Sequence, residues 1–96
     1  MTPEGKEKAK VRKYLNSLWC TYQLWPVPSG YGRSGVDCYA CIYGKFLAIE
    51  VKAPGKKPTP RQFAELEAVA GAGGFIAHGT ADEIIQAIEN VSRRTA

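Results

Sequence analysis

The stretch VDCYACIYGKFLAIEVK, residues 36–52, contains two apolar runs that are separated by a Tyr43-Gly44 pair. This pattern predicts a β-hairpin with a tight turn at the pair. Because side chains alternate between the two faces of a strand, Glu50 and Lys52 are predicted to point the same way. The apolar residues of the same strand take the opposite face, which is predicted to be the core face: Leu47, Ile49 and Val51.

Asp37 lies in the first strand of this hairpin, which is predicted over about 36–42. Pairing of the two strands can bring the carboxylates of Asp37 and Glu50 within reach of one cation. Oxygen ligands of this kind suit Mg²⁺, which keeps several waters and binds through one or two carboxylates plus substrate phosphate. Lys52 can then orient the attacking water or stabilise the charge that grows on the phosphorus oxygens. The layout predicts a metal-dependent nuclease.

The alternative interpretation is that Glu50 and Lys52 belong to the solvent face of an amphipathic strand, where charged residues are common. The surrounding sequence favours a functional site instead. Asp37 stands among apolar or weakly polar residues, and the glycine-rich loop of residues 29–35 precedes it. Glycines in a loop allow its backbone to approach a bulky ligand.

The length and composition predict one globular domain over residues 1–96. The chain is 45% hydrophobic and 23% charged, ordinary values for a globular protein, and no apolar run is long enough to cross a bilayer. A chain this short has a modest core, and association with a second copy would add to its stability. The Lys-rich N-terminus is not followed by the apolar segment of a signal peptide, so a cytoplasmic location and no membrane partner are expected.

The net charge of +4 and the pI near 9.1 favour a polyanionic partner only weakly. The distribution of basic residues is more informative, because several of them flank the acidic residues in sequence. These residues are predicted to contact DNA phosphates: Arg33, Lys56, Lys57 and Arg61. Tyr31 in the glycine-rich loop is predicted to stack on a base. The lysines of residues 6–13 fit a solvated helix face as well as they fit DNA contact.

Three cysteines do not indicate a disulfide framework, since the number is odd and nothing indicates export. Cys38 and Cys41 would face opposite sides of a regular strand, and no second pair is present to complete a zinc site. Cys20, Cys38 and Cys41 are therefore predicted to be small apolar residues, buried or half-buried.

The periodicity along the chain predicts the order helix, three strands, helix, strand, helix. The first helix is expected over about 3–18 and an edge strand over about 19–27. Thr59 with Gln62, and Thr80 with Glu83, form the capping-box pattern that starts a helix. The third and fourth strands are joined through a helix and should be parallel. The predicted fold class is an α/β sandwich around a mixed sheet.

Three motifs follow one another along the chain: Gly35-Val36-Asp37, Ile49-Glu50-Val51-Lys52 and Pro58-Thr59-Pro60-Arg61-Gln62. The set resembles the PD-(D/E)xK nuclease superfamily, and within it the virus-type replication-repair nuclease (VRR-NUC) family. The resemblance extends to residues 2–6, 26–32 and 72–74 and so covers most of the chain. The chain departs from the family pattern at Val36, where a proline is usual. A β-branched residue also favours the extended backbone of that position. The implied fold is a restriction-endonuclease-like αβββαβ(α) sandwich.

The resemblance also implies an activity and a set of site residues. The implied activity is hydrolysis of DNA by a Mg²⁺- or Mn²⁺-dependent endonuclease. Implied catalytic residues are Asp37, Glu50, Lys52 and Gln62, and implied metal ligands are Asp37, Glu50, Val51 and Glu4. Glu7 is the alternative to Glu4, and Gln62 could instead be occupied in the capping box with Thr59.

Small free-standing members of the family, found in phages and bacteria, are similar in size to Holliday-junction resolvases and are thought to act as dimers. The resemblance therefore implies branched DNA as substrate and a homodimer as the active form. A different class of function stays open at this point, namely a non-catalytic nucleic-acid-binding module, or a component of a replication or repair complex, that keeps a nuclease fold. The presence of both acids and the lysine favours the enzyme.

Overall fold

The computed structural model describes residues 1–27 and 35–93, which form one four-stranded sheet with helices on both faces. The elements follow the predicted order, and their bounds are α1 Pro3–Ser17, β1 Thr21–Leu24, β2 Cys38–Ile42, β3 Lys45–Val51, α2 Pro60–Gly71, β4 Phe75–Gly79 and α3 Ala81–Ser92. The fold is the predicted α/β sandwich. Within the described ranges, no helix has the length and apolar character needed to span a membrane.

The sheet has the strand order β1-β2-β3-β4 and is mixed. Strand β2 pairs antiparallel with both β1 and β3, whereas β3 and β4 are parallel. The predicted hairpin turn connects β2 to β3, and its two residues have positive φ angles, 50° at Tyr43 and 80° at Gly44. A two-residue turn of this kind matches the twist of the strands, and it fixes the register in which Cys38 faces Ile49.

The larger core lies between the sheet and helices α1 and α3. Its fully buried side chains include Val11, Leu15, Cys38, Leu47, Ile49, Val51, Ile84 and Ile88. A smaller apolar cluster on the opposite face joins the sheet to α2 and contains Val36, Ala48 and Leu66. Helices therefore cover both faces of β3, and Glu50 near its end is only 2% exposed. This burial argues against the interpretation of Glu50 as part of a solvated strand face.

The helix starts agree with the sequence patterns. The hydroxyl of Thr2 accepts the N–H of Gly5 at 3.0 Å at the start of α1. Both predicted capping boxes are present, one at the start of α2 and one at the start of α3. The first strand is shorter than predicted, Thr21–Leu24 instead of about 19–27, because its pairing with β2 runs only from Thr21 opposite Ile42 to Leu24 opposite Tyr39.

The prediction for the cysteines is correct at one of three positions. Cys38 is buried in the larger core, while Cys20 and Cys41 are exposed. Cys41 points away from the face that holds Cys38, as strand alternation requires, and α2 lies over β3 and β4 rather than over this part of β2. The thiol of Cys41 is therefore left at the surface.

Candidate active site

Asp37 and Glu50 meet at the end of the β2–β3 pair through two hydrogen bonds. The backbone N–H of Asp37 donates to Oε1 of Glu50 at 3.1 Å. In return, Oδ2 of Asp37 accepts the backbone N–H of Val51 at 2.9 Å. Because these side-chain bonds take the place of strand-pairing bonds, β2 begins at Cys38 and not at the predicted residue 36. The two predicted metal-binding acids are thus held side by side.

Lys52 lies on the other side of Glu50. Its Nζ is 3.3 Å from Oε2 of Glu50, and its side chain is only 13% exposed. The backbone N–H of Lys52 donates to the carbonyl of Gly79 at 2.7 Å, which extends the contact between β3 and β4 by one residue. The backbone of Lys52 is therefore fixed, and its ammonium group is held beside the buried carboxylate.

The pKa of Glu50 is raised to about 7, chiefly by burial and also by the negative charge of Asp37, while Lys52 acts in the opposite direction. A carboxylate taken out of water is costly unless a positive charge or hydrogen bonds compensate. The positive charge of Lys52 compensates only partly. The site therefore favours a further cation between the two acids.

Helix α1 adds Lys8 and Glu4 to the site. Nζ of Lys8 is 3.3 Å from Oδ1 of Asp37 and also 3.3 Å from Oε2 of Glu4. Burial lowers the pKa of Lys8, but attraction to Asp37 and Glu4 outweighs it and leaves the pKa raised. Lys8 was predicted only as one of the lysines of residues 6–13, on a solvated helix face or in contact with DNA. The spacing of Glu4 and Lys8, four residues apart on a helix, is the signal that links them.

Glu7, the alternative to Glu4, is engaged elsewhere. Its Oε1 accepts the backbone N–H of Ala81 at 2.9 Å at the start of α3. Its Oε2 lies 3.6 Å from Nζ of Lys10. The carboxylate of Glu7 thus fastens α1 to α3, and the geometry favours Glu4 as the acid that supports a metal.

The predicted catalytic Gln62 closes the capping box of α2. Its Oε1 accepts the N–H of Thr59 at 2.8 Å, and its own N–H donates to Oγ1 of Thr59 at 3.2 Å. The side-chain oxygen is thus held at the start of the helix. The role of Gln62 in positioning water stays a prediction.

The predicted DNA-binding residues lie in two regions of the chain. Lys56 and Lys57 are exposed in the segment after β3, and Arg61 is exposed in the first turn of α2. Arg33 and Tyr31 lie outside the residues that the structure describes. The three basic residues that are described follow Lys52 within ten residues of the chain, and their exposed side chains are called the basic surface below.

A cleft of about 350 Å³ adjoins this basic surface. Its lining includes Lys56, Lys57, Phe63 and His78. His78 is the register partner of Glu50 in the parallel pair of β3 and β4, and its ring meets that of Phe63 edge-on at 5.4 Å. No role in the site was predicted for His78, because the strand register that places it opposite Glu50 cannot be read from the sequence around it.

The donor set fits a hard divalent cation such as Mg²⁺ or Mn²⁺, which takes oxygen ligands and keeps several waters. Asp37 and Glu50 supply two carboxylates. The side chain of Val51 is buried in the apolar core, so Val51 could bind a metal only through its backbone carbonyl. Within residues 1–27 and 35–93, no cluster of three or more His, Cys, Asp and Glu side chains could hold a metal. Water or substrate oxygens would have to complete the ligand set.

The raised pKa of Glu50 predicts how the metal-free protein responds to pH. The folded-state pKa is about 7 and the ordinary value is 4.5, so the folded protein binds the proton more tightly than the unfolded chain. This contribution to stability is fully present below about pH 4.5 and is lost as the pH rises through 7. Thermal unfolding in EDTA should therefore show that raising the pH from 5 to 8 destabilises the wild type more than Glu50→Gln. Parallel pH profiles for the two proteins would contradict the raised pKa.

The chain is similar to a solved structure described as a VRR_NUC domain. The two share 26% sequence identity with a TM-score of 0.73, and the match covers 93% of this chain and 97% of that chain. No family model and no curated protein matches the sequence. The similarity spans the helices and the sheet that bring Asp37, Glu50 and Lys52 together. The fold and these spaced motifs support the assignment of the chain to the VRR-NUC family, and the chain is a nuclease-fold domain.

Proposed function

We propose that this protein is a divalent-metal-dependent DNA endonuclease, with Asp37 and Glu50 as the cation ligands. The observation that carries the proposal is the linked cluster of Asp37, Glu50 and Lys52 at one end of β3. The acids are joined by hydrogen bonds of 2.9 and 3.1 Å through the backbone of Val51 and Asp37. Lys52 is 3.3 Å from Glu50. Two carboxylates and one ammonium group suit metal-assisted hydrolysis of a phosphodiester.

A bound divalent cation would supply Lewis-acid activation of the phosphodiester and of the attacking water. The residues of the chain then have separate tasks. The hydrogen bonds to backbone N–H groups hold Asp37 and Glu50 in fixed positions, so little reorganisation is needed during the reaction. Lys52 carries a positive charge beside Glu50 and can orient water or stabilise the developing charge on phosphate oxygens.

The basic surface after β3 supports DNA as the substrate. Lys56, Lys57 and Arg61 lie within ten residues of Lys52 and are exposed. Exposed cations of this kind contact phosphates without regard to sequence. Lys56 and Lys57 also line the cleft beside His78, which offers a path for a DNA strand next to the acids. Arg33 and Tyr31 are proposed as further DNA contacts.

An exposed apolar face supports the proposed homodimer. Tyr22 and Leu24 of β1 and Phe46 of β3 are 66%, 49% and 48% exposed. Strand register puts all three on the same face of the sheet, since Tyr22 faces Cys41 on β2 and Cys41 faces Phe46. Exposed aromatic and aliphatic side chains grouped in this way are typical of interaction surfaces. Two active sites in one dimer would allow paired cuts in a Holliday junction.

The test is the cleavage of a labelled four-way junction and of a linear duplex with the same arm sequence, in Mg²⁺ or Mn²⁺. We expect symmetrical cuts near the branch point of the junction and at least tenfold slower cutting of the duplex. Equal cutting of the junction and the duplex would contradict the junction specificity but would still support nuclease activity. Binding of both with no cutting in either metal would contradict the proposal and favour a non-catalytic module.

A further inference from the structure

Each acid of the site has one oxygen bound by the backbone and the other paired with a lysine. In Asp37, Oδ2 accepts the N–H of Val51 and Oδ1 lies 3.3 Å from Lys8. In Glu50, Oε1 accepts the N–H of Asp37 and Oε2 lies 3.3 Å from Lys52. The oxygens that face away from the backbone, which a metal would need, are therefore those that the two ammonium groups already contact.

The two lysines differ in how easily they can leave. Lys52 is 13% exposed and its backbone is tied to β4 through Gly79. The side chain of Lys8 is 37% exposed and projects from the helix α1. A long lysine stem on a helix surface can turn its ammonium group into water at little cost. A metal ion can therefore displace the ammonium group of Lys8 from Asp37, whereas the ammonium group of Lys52 stays beside Glu50.

We propose that Lys8 occupies the cation position of the metal-free protein and competes with the divalent metal for Asp37 and Glu4. This inference rests on the proposed metal site. In the metal-free protein the ammonium group of Lys8 reduces the repulsion between the carboxylates of Asp37 and Glu4 and keeps them close. When a divalent cation binds Asp37 and Glu4, Lys8 leaves, because its ammonium group lies 3.3 Å from an oxygen of each acid and is repelled by the cation, while its exposed stem lets it turn into water. Lys8 therefore weakens metal binding and stabilises the metal-free fold.

A consequence is that metal and DNA bind cooperatively through Lys8. The displaced ammonium group stays tethered to α1 next to the site, where a DNA phosphate can pair with it. Metal binding thus makes one more phosphate contact available, and by linkage DNA makes metal binding tighter to the same degree. Without Lys8, this part of the coupling is lost.

The test is a calorimetric titration of Mn²⁺ into the protein at pH 8, without DNA. We compare the wild type, Lys8→Met and the control Lys10→Met. The control removes the same charge from the same helix, at a side chain that is 64% exposed and pairs with Glu7 instead. We expect the Mn²⁺ dissociation constant to fall by about tenfold in Lys8→Met and by less than about twofold in Lys10→Met. Lys8→Arg, which keeps the charge, should stay near the wild type.

A second measurement covers the case in which Lys8→Met folds poorly. Thermal unfolding of Lys8→Gln should give a lower Tm in EDTA than the wild type and a larger rise in Tm on addition of Mn²⁺. The role of Lys8 would be overturned if Lys8→Met bound Mn²⁺ with the same affinity as the wild type. It would also be overturned if Lys10→Met gained as much Mn²⁺ affinity as Lys8→Met. A wild type that shows no saturable Mn²⁺ binding would instead refute the proposed metal site.

Discussion

Replacement of Asp37 by asparagine is expected to reduce DNA cleavage by about a thousandfold or more. Asparagine keeps an oxygen that can accept the N–H of Val51, now 2.9 Å from Oδ2 of Asp37, so the fold should survive. The substitution removes the negative charge that a divalent cation needs. The measurement is the single-turnover cleavage rate of a labelled junction at saturating Mg²⁺.

The matched control is Asp82→Asn, which removes the same charge from an exposed position in the first turn of α3. It should cleave at the wild-type rate. DNA affinity, measured in EDTA, should not fall in Asp37→Asn, because a negative charge is lost near the phosphates. Cleavage by Asp37→Asn at the wild-type rate would show that Asp37 is not a catalytic residue.

Replacement of Lys52 by methionine is expected to lower kcat by about a hundredfold to a thousandfold with little change in DNA affinity. Methionine fills the same half-buried space but cannot orient water or stabilise charge. It also removes the counter-charge 3.3 Å from Glu50, which would raise the pKa of Glu50 further. The cleavage rate should therefore be measured at pH 8 and saturating Mn²⁺, where Glu50 is ionised and the metal is bound.

Lys45→Met serves as the control, because Lys45 begins the same strand at its opposite end. That variant should retain the wild-type kcat. If both lysine variants lost activity equally, the effect would be one of strand stability or net charge. If Lys52→Met kept full activity, Lys52 would have only a structural role beside Glu50.

The order of the elements could be predicted from the sequence because its signals are local. Thr59 and Thr80 with their partners three residues later mark the helix starts, and both capping boxes are present. The alternation of residues in β3 placed Glu50 and Lys52 on one side, and they form an ion pair. The parallel pairing of β3 and β4 followed from the helix between them.

Other features depend on contacts between distant parts of the chain and could not be read locally. The burial of Glu50 arises because α2 covers the second face of the sheet. Glu7 is engaged by the N–H of Ala81, 74 residues further along the chain. The contact of Lys8 with Asp37 likewise depends on how α1 packs beside the sheet. These contacts decide which acids are available to a metal.

The most direct test of the central claim is the initial rate of cleavage of a labelled four-way junction as Mn²⁺ is added back to protein freed of metal with EDTA. The claim is that Asp37 and Glu50 together hold a catalytic divalent cation. We expect no cleavage in EDTA, a rate that rises and saturates with Mn²⁺ for the wild type, and no rise for Asp37→Asn. Cleavage that persists in EDTA, or an equal response of Asp37→Asn to Mn²⁺, would contradict it.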